Sequence, residues 1–103
     1  PPEFRKKAEH ELAARYDELK MDKRLERLDA AVAENERRIR DLTREAESAL
    51  ARYDFRKLAE LLEAAEKLQA HNGKLFTIIE RSEAKLAKIA KDLAHELGEE
   101  VTP

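Results

Sequence analysis

The chain has 103 residues, of which 42% are hydrophobic and 43% charged, and only 5% are aromatic. This balance is typical of long helices and coiled coils and disfavours a compact globule with a thick core. The absence of cysteine excludes disulfides and thiolate metal sites, and a net charge of −2 disfavours nucleic-acid binding, which needs an excess of Lys and Arg on one face.

The first predicted helix spans residues 5–52 and begins with apolar residues that do not match the rest of the helix. Residues 1–4 resemble the remnant of a cloning site and are set aside. Leu12, Tyr16 and Leu19 keep helical spacing but lie on a different face from the later apolar residues. This predicts a phase slip near residues 20–24 within one bent helix. The alternative is a short separate N-terminal helix that ends there.

From Leu25 onward the apolar residues follow the heptad pattern of a coiled-coil seam. The first series is Leu25, Leu28, Val32, Asn35, Ile39, Leu42, Ala46, Ala49 and Tyr53. The second series is Leu58, Leu61, Ala65, Leu68, Asn72, Leu75, Ile79, Ser82, Leu86, Ile89 and Leu93. The two series mirror each other about Asp54, so that facing residue numbers sum to 107. The mirror predicts an all-α fold, a long antiparallel two-helix coiled-coil hairpin.

The turn between the two helices is predicted at residues 52–56. Asp54 can accept hydrogen bonds from the free amides at the start of a second helix over residues 55–98, which is followed by a frayed tail at 99–103. The competing break is at residues 71–73, because Asn-Gly is a strong turn dipeptide. The heptad phase continues unchanged through that segment, so a continuous helix is expected.

Asn35 and Asn72 are the only asparagines in the chain, and the mirror places them opposite each other in the seam. Paired amides can satisfy each other, whereas a slipped register would bury each one against hydrocarbon at a cost of about 1–3 kcal/mol. The pair is therefore predicted to set the register and the antiparallel orientation.

The second helix carries apolar residues beside its seam, and these predict a further contact. A wider apolar face on a soluble helix usually marks an interface. The occupant is either the N-terminal segment folding back or a second hairpin; the latter, a homodimer that forms a four-helix bundle, is favoured. The candidate interface residues are Leu12, Tyr16, Leu19, Leu50, Phe55, Leu62, Phe76, Ile78, Ala90 and Leu97.

The residues with catalytic or metal-binding chemistry do not form a known motif. His10, His71 and His95 are the only histidines, and the segment at 95–99 lacks the second histidine that a zincin helix needs. The inward positions are aliphatic, unlike those of di-iron bundles. We therefore expect no enzyme activity, no catalytic residues, no cofactor and no metal.

The expected function is a non-enzymatic oligomerisation or adaptor module that binds protein partners, as a cytoplasmic fragment of a larger protein. The apolar runs are too short to span a bilayer. Acidic residues on the polar faces argue against a helix lying on a membrane. The alternatives are a nucleic-acid-binding rod that uses the arginines of the first helix, and a regulatory stalk of a membrane or signalling protein.

Overall fold

The computed structural model describes residues 1–98 and contains two helices that form an antiparallel hairpin. Helix α1 spans Pro2–Ala51 and helix α2 spans Phe55–Glu96. No strand occurs within residues 1–98. The predicted all-α hairpin is confirmed, with helix bounds close to the predicted ones. The tail expected at 99–103 lies outside the described residues.

Helix α1 has no internal break, so the alternative of a separate N-terminal helix is wrong. The physical reason is that residues 5–50 contain no glycine or proline to stop a helix, and the change of apolar face does not by itself interrupt the backbone hydrogen bonds. Pro2 occupies the first helical position, where its fixed φ suits the helix and its missing N–H breaks no bond. Helix α2 likewise continues through residues 71–73.

The turn consists of Arg52, Tyr53 and Asp54 and is closed by hydrogen bonds from its amides to carbonyls at the end of α1. The Asp54 amide donates to the carbonyl of Ala49 at 2.8 Å, and the Tyr53 amide donates to the carbonyl of Leu50 at 3.0 Å. This is the Schellman pattern, with Tyr53 in the left-handed conformation at φ 58°. Glycine is the usual residue there, because a left-handed residue with a Cβ costs about 1–2 kcal/mol.

Asp54 also begins helix α2. Its Oδ1 accepts a hydrogen bond from the amide of Lys57 at 3.1 Å, and its carbonyl accepts one from the amide of Leu58 at 3.0 Å. One aspartate therefore ends the turn and caps the next helix, a contribution of typically about 1 kcal/mol.

The chain packs as two units, and the first consists of Leu28–Ile78 with the turn. Its apolar core is narrow and follows the predicted seam. Alanines of α1 face leucines of α2, which lets the two helices approach closely. The buried apolar residues are Val32, Leu42, Ala46, Ala49, Leu61 and Leu75. Partly buried residues that pack against the central cluster are Leu58, Ala64, Ala65 and Leu68.

The second unit consists of residues 1–27 of α1 and the α2 residues from Ile79 onward. Its half-buried α1 residues keep the heptad frame of the rest of α1, and they are Glu11, Ala14, Glu18, Met21 and Leu25. The phase slip expected near residues 20–24 is not visible in this burial pattern. In α2 the seam residues Ile79, Ser82 and Leu93 are buried.

Candidate protein-interaction surface

The asparagine pair lies in the seam of the Leu28–Ile78 unit. Asn35 Nδ2 donates a hydrogen bond to Asn72 Oδ1 at 2.8 Å, and Asn72 Nδ2 donates to the carbonyl of Val32 at 3.3 Å. Asn72 is buried, whereas Asn35 is half-buried. Both functional atoms of the Asn72 amide are therefore occupied by α1, which gives this layer a geometry that a shifted register would not reproduce.

One side of the same seam carries a row of large apolar side chains that stay half-exposed. We call this row the e flank, after heptad position e, which lies beside the seam. It consists of Leu50, Phe55, Leu62 and Phe76. On α2, Phe55, Leu62 and Phe76 lie at multiples of seven residues, so they share one face beside the seam. Their exposed fractions are 62%, 49% and 47%, and that of Leu50 on α1 is 51%. The hairpin has no third helix to cover them within the described chain.

A shallow groove of about 520 Å³ lies beside Phe76 of the e flank. Charged and polar side chains line the groove together with residues of the seam. Its lining residues are Glu36, Ile39, Arg40, Gln69, Asn72, Gly73 and Phe76. A Cβ added at Gly73 would meet no atom within 4 Å, so the missing side chain leaves the backbone of α2 open at this point.

The other candidate interface residues lie apart from the e flank or are better covered. Ile78 occupies the opposite side of the seam and is half-buried. In the second unit, Ala90 is exposed and Leu97 is half-buried.

Leu12, Tyr16 and Leu19 are exposed on α1 in that second unit, at 70%, 62% and 54%. The Lys20 ammonium lies 5.3 Å from the centre of the Tyr16 ring, in cation–π geometry. The alternative in which these residues fold back as a separate helix over α2 is not seen, since they belong to the continuous helix α1.

Two of the arginines of α1, Arg37 and Arg44, form ion pairs with neighbouring acids. Arg37 binds Glu34 and also donates to Asp41 at 3.0 Å, and Arg44 donates to Asp41 at 2.8 Å. The hydrogen bond from Arg37 and its positive charge lower the pKa of Glu34, and the same contact raises the pKa of Arg37. These exposed pairs neutralise the charges that a nucleic-acid surface would need to leave free.

The histidines contribute one polar contact in the second unit. His10 Nε2 lies 3.5 Å from Glu96 Oε1, beside a small groove that also contains Asp17 and Asp92. No group of three or more possible metal ligands occurs within residues 1–98. Nor does any helix in this part of the chain combine the length and apolar character needed to cross a bilayer.

Sequence reasoning did not anticipate two features of this region. Tyr53 lies in the turn predicted at residues 52–56, but its left-handed conformation was not predicted, and the heptad series also included this residue, which is 79% exposed. The groove at Gly73 was also missed, although a glycine at an outer heptad position was a usable signal. Comparisons with protein-family models, with curated proteins and with solved structures find no match to this chain.

Proposed function

We propose that this hairpin is a non-enzymatic assembly module that self-associates through the e flank into a dimer with a four-helix core. The observation that supports this most directly is the row of half-exposed Leu50, Phe55, Leu62 and Phe76 beside a seam that is already filled. An apolar row at heptad spacing, here interrupted by Gln69, is suited to packing against another helix face. A second copy supplies such a face by symmetry.

The apolar row alone gives a moderate driving force. Complete burial of a Leu or Phe side chain contributes about 1.5–3 kcal/mol, so burying the remaining half of each contributes about 1 kcal/mol. Phe76 borders the groove, where a facing side chain can insert next to Gly73, and Leu62 lies on the same face of α2 with a similar exposed fraction. These two residues are therefore expected to contribute most to association, as central anchors do in protein interfaces.

The nucleic-acid-binding alternative receives less support. Arg37 donates hydrogen bonds to Glu34 and Asp41, and Arg44 donates one to Asp41. The net charge of the chain is −2. A counterion-release mechanism requires uncompensated basic residues. No described feature favours this alternative over self-association.

The test is the mass of the double variant Leu62→Asp/Phe76→Asp. It is expected to keep the helical content of the parent, because both side chains lie outside the buried seam, and to be monomeric where the parent is dimeric. Light scattering and sedimentation velocity over a concentration series measure the mass, and circular dichroism measures the helicity.

A matched control places the same charges on the outer face of the same helix. Ala59→Asp/Ala70→Asp changes two exposed positions away from the e flank and is expected to keep the dimeric mass. An unchanged mass in the Leu62/Phe76 variant, or a monomeric parent at all concentrations, would remove this proposal. A loss of association in both variants would show a general charge effect and count against the e flank.

A further inference from the structure

Charged side chains of the second unit are sorted by side, and the basic ones gather on the side of its seam opposite to the e positions. The small groove near His10 is lined by Asp17 of α1 and Asp92 of α2, which places both residues on this side. Arg24 and Lys85 are exposed and lie one heptad farther along on the same side, at position g. The adjoining c positions add four exposed bases, which are Lys20, Arg27, Arg81 and Lys88. We call these six residues the basic patch.

The basic patch lacks the local ion pairs that are used elsewhere in the chain. Other exposed bases pair with acids three or four residues away, as Arg37 does with Glu34. No acid stands at these spacings from four members of the patch, which are Arg24, Arg27, Arg81 and Lys85. None of the four forms an ion pair in the part of the chain that the structure describes. Like charges at helical spacing destabilise a helix, so the fold itself gains nothing from this arrangement.

The acids near the basic patch leave it with an excess of positive charge. Asp17 and Asp92 border the patch at one end, and Lys88 donates a hydrogen bond to Asp92 at 3.1 Å. Glu18 lies in the seam and accepts a hydrogen bond from Arg15. Four further acids lie at heptad positions e and b, on the opposite side of the seam, and they are Asp22, Glu26, Glu80 and Glu83. Six bases against two acids leave a net charge of +4 on the side of the patch.

We propose that the basic patch binds an acidic segment of a partner protein, a short run of Asp and Glu residues. Clusters of arginine are a recurrent means of binding acidic motifs, because one guanidinium donates two parallel hydrogen bonds to one carboxylate. Residues 20–27 and 81–88 each extend about 10 Å along the helix, at about 1.5 Å per residue. An extended segment of about three residues or a helical segment of about seven spans that length.

The short length of the basic patch favours an acidic protein segment over a nucleic acid. Each strand of B-DNA carries one charge about every 3.4 Å, so the patch meets only about three phosphates of one strand. The phosphates that follow would lie against Asp17 and Asp92 at the end of the patch, on a chain whose net charge is −2. An acidic protein segment can place its charges over the patch alone.

The experiment measures the fluorescence anisotropy of hexaglutamate that carries an uncharged dye, titrated with the full chain at low salt. The parent is expected to bind hexaglutamate and not hexaglutamine, and binding should weaken as salt screens the exposed charges. Arg24→Gln/Lys85→Gln is expected to weaken binding about tenfold, since each exposed ion pair contributes roughly two- to fivefold. This variant should unfold at the same temperature as the parent or higher, because it removes like-charged neighbours from both helices.

A matched control removes one arginine and one lysine outside the basic patch. Arg56→Gln/Lys74→Gln changes two exposed residues of the Leu28–Ile78 unit and alters the net charge by the same amount. Its affinity for hexaglutamate is expected to stay within about twofold of the parent value, because distant exposed charges are screened. Charge reversal in Arg24→Glu/Lys85→Glu is expected to abolish binding.

The outcomes separate this inference from the proposed self-association. Leu62→Asp/Phe76→Asp keeps the basic patch, so its binding of hexaglutamate is expected to persist even when it is monomeric. Arg24→Gln/Lys85→Gln keeps the e flank and is expected to retain the mass of the parent. Failure of the parent to bind hexaglutamate at low salt, equal binding of hexaglutamine, or equal losses in the patch and control variants would each overturn the proposal. Tighter binding of a short oligothymidylate than of hexaglutamate would overturn it in favour of a nucleic acid.

Discussion

Replacement of Asn35 by leucine tests how the polar layer acts in the seam. Asn72 is 5% exposed, and its Oδ1 accepts only the 2.8 Å hydrogen bond from Asn35. In Asn35→Leu this buried oxygen loses its donor, which costs about 1–3 kcal/mol. The new leucine side chain is half-buried, and its burial stabilises the folded state by about 1 kcal/mol. We expect a net loss of about 1 kcal/mol in the free energy of unfolding.

The double variant Asn35→Leu/Asn72→Leu is expected to change stability in the opposite direction. It leaves no orphaned polar atom, and the buried leucine at 72 contributes about 2 kcal/mol. Addition of about 1 kcal/mol for the half-buried leucine at 35 and subtraction of the two lost hydrogen bonds, about 1 kcal/mol each, give a variant roughly 1 kcal/mol more stable than the parent. The single Asn72→Leu variant should lie between the two, because a half-buried Asn35 can bond to water.

Urea unfolding of the four proteins, followed by circular dichroism at a fixed concentration, gives the coupling energy of the pair. The values above predict a coupling of about 1–2 kcal/mol, well beyond the roughly 0.3–0.5 kcal/mol scatter of independent sites. A coupling within that scatter would refute the reasoning, since it would mean that the two amides do not depend on each other. A double variant less stable than Asn35→Leu would refute it as well.

Three further changes test the local structure by thermal and urea unfolding. Tyr53→Gly should raise the free energy of unfolding by about 0.5–1 kcal/mol because glycine adopts the left-handed turn without strain, and a loss of stability would show that the aromatic side chain supports the turn. Gly73→Ala should add about 1 kcal/mol, since the new methyl group enters open space on a continuous helix; a decrease would indicate that the helix is interrupted there. Asp54→Ala should remove about 1 kcal/mol through loss of the cap, with Asp54→Asn as the control that keeps an acceptor and most of the stability.

Much of the fold could be predicted because heptad spacing and capping are local properties. The two seam series predicted which residues of Leu28–Ile78 become buried, and the mirror about Asp54 predicted the turn, the chain direction and the facing of Asn35 and Asn72. Each depends on residues three or four apart, or on one side chain and the amides that follow it. Such relations can be recognised in the sequence of one helix without knowledge of the helix that packs against it.

The stripe beside the seam was predicted to be left uncovered by the two helices, but the exposed fraction of each apolar residue outside the seam could not be predicted in this way. Leu12, Tyr16 and Leu19 have the same helical spacing as a buried stripe. They remain exposed because α1 packs against α2 through its seam face, and these three residues lie outside that face. The same limit applied to Tyr53: the heptad series included it and the turn was predicted at residues 52–56, but neither pattern gave its exposed fraction or its left-handed conformation. Its position depends on where the backbone closes the Schellman turn.

The amino-acid sequence by itself determined that this chain forms two helices, where they turn and in which register they pair, since periodicity, capping and paired amides act along the chain. Only the tertiary structure decided how far each apolar side chain outside the seam remains exposed, those of the e flank among them. The physical reason is that burial belongs to a pair of surfaces, and a pattern on one helix does not specify how much of it the other helix covers.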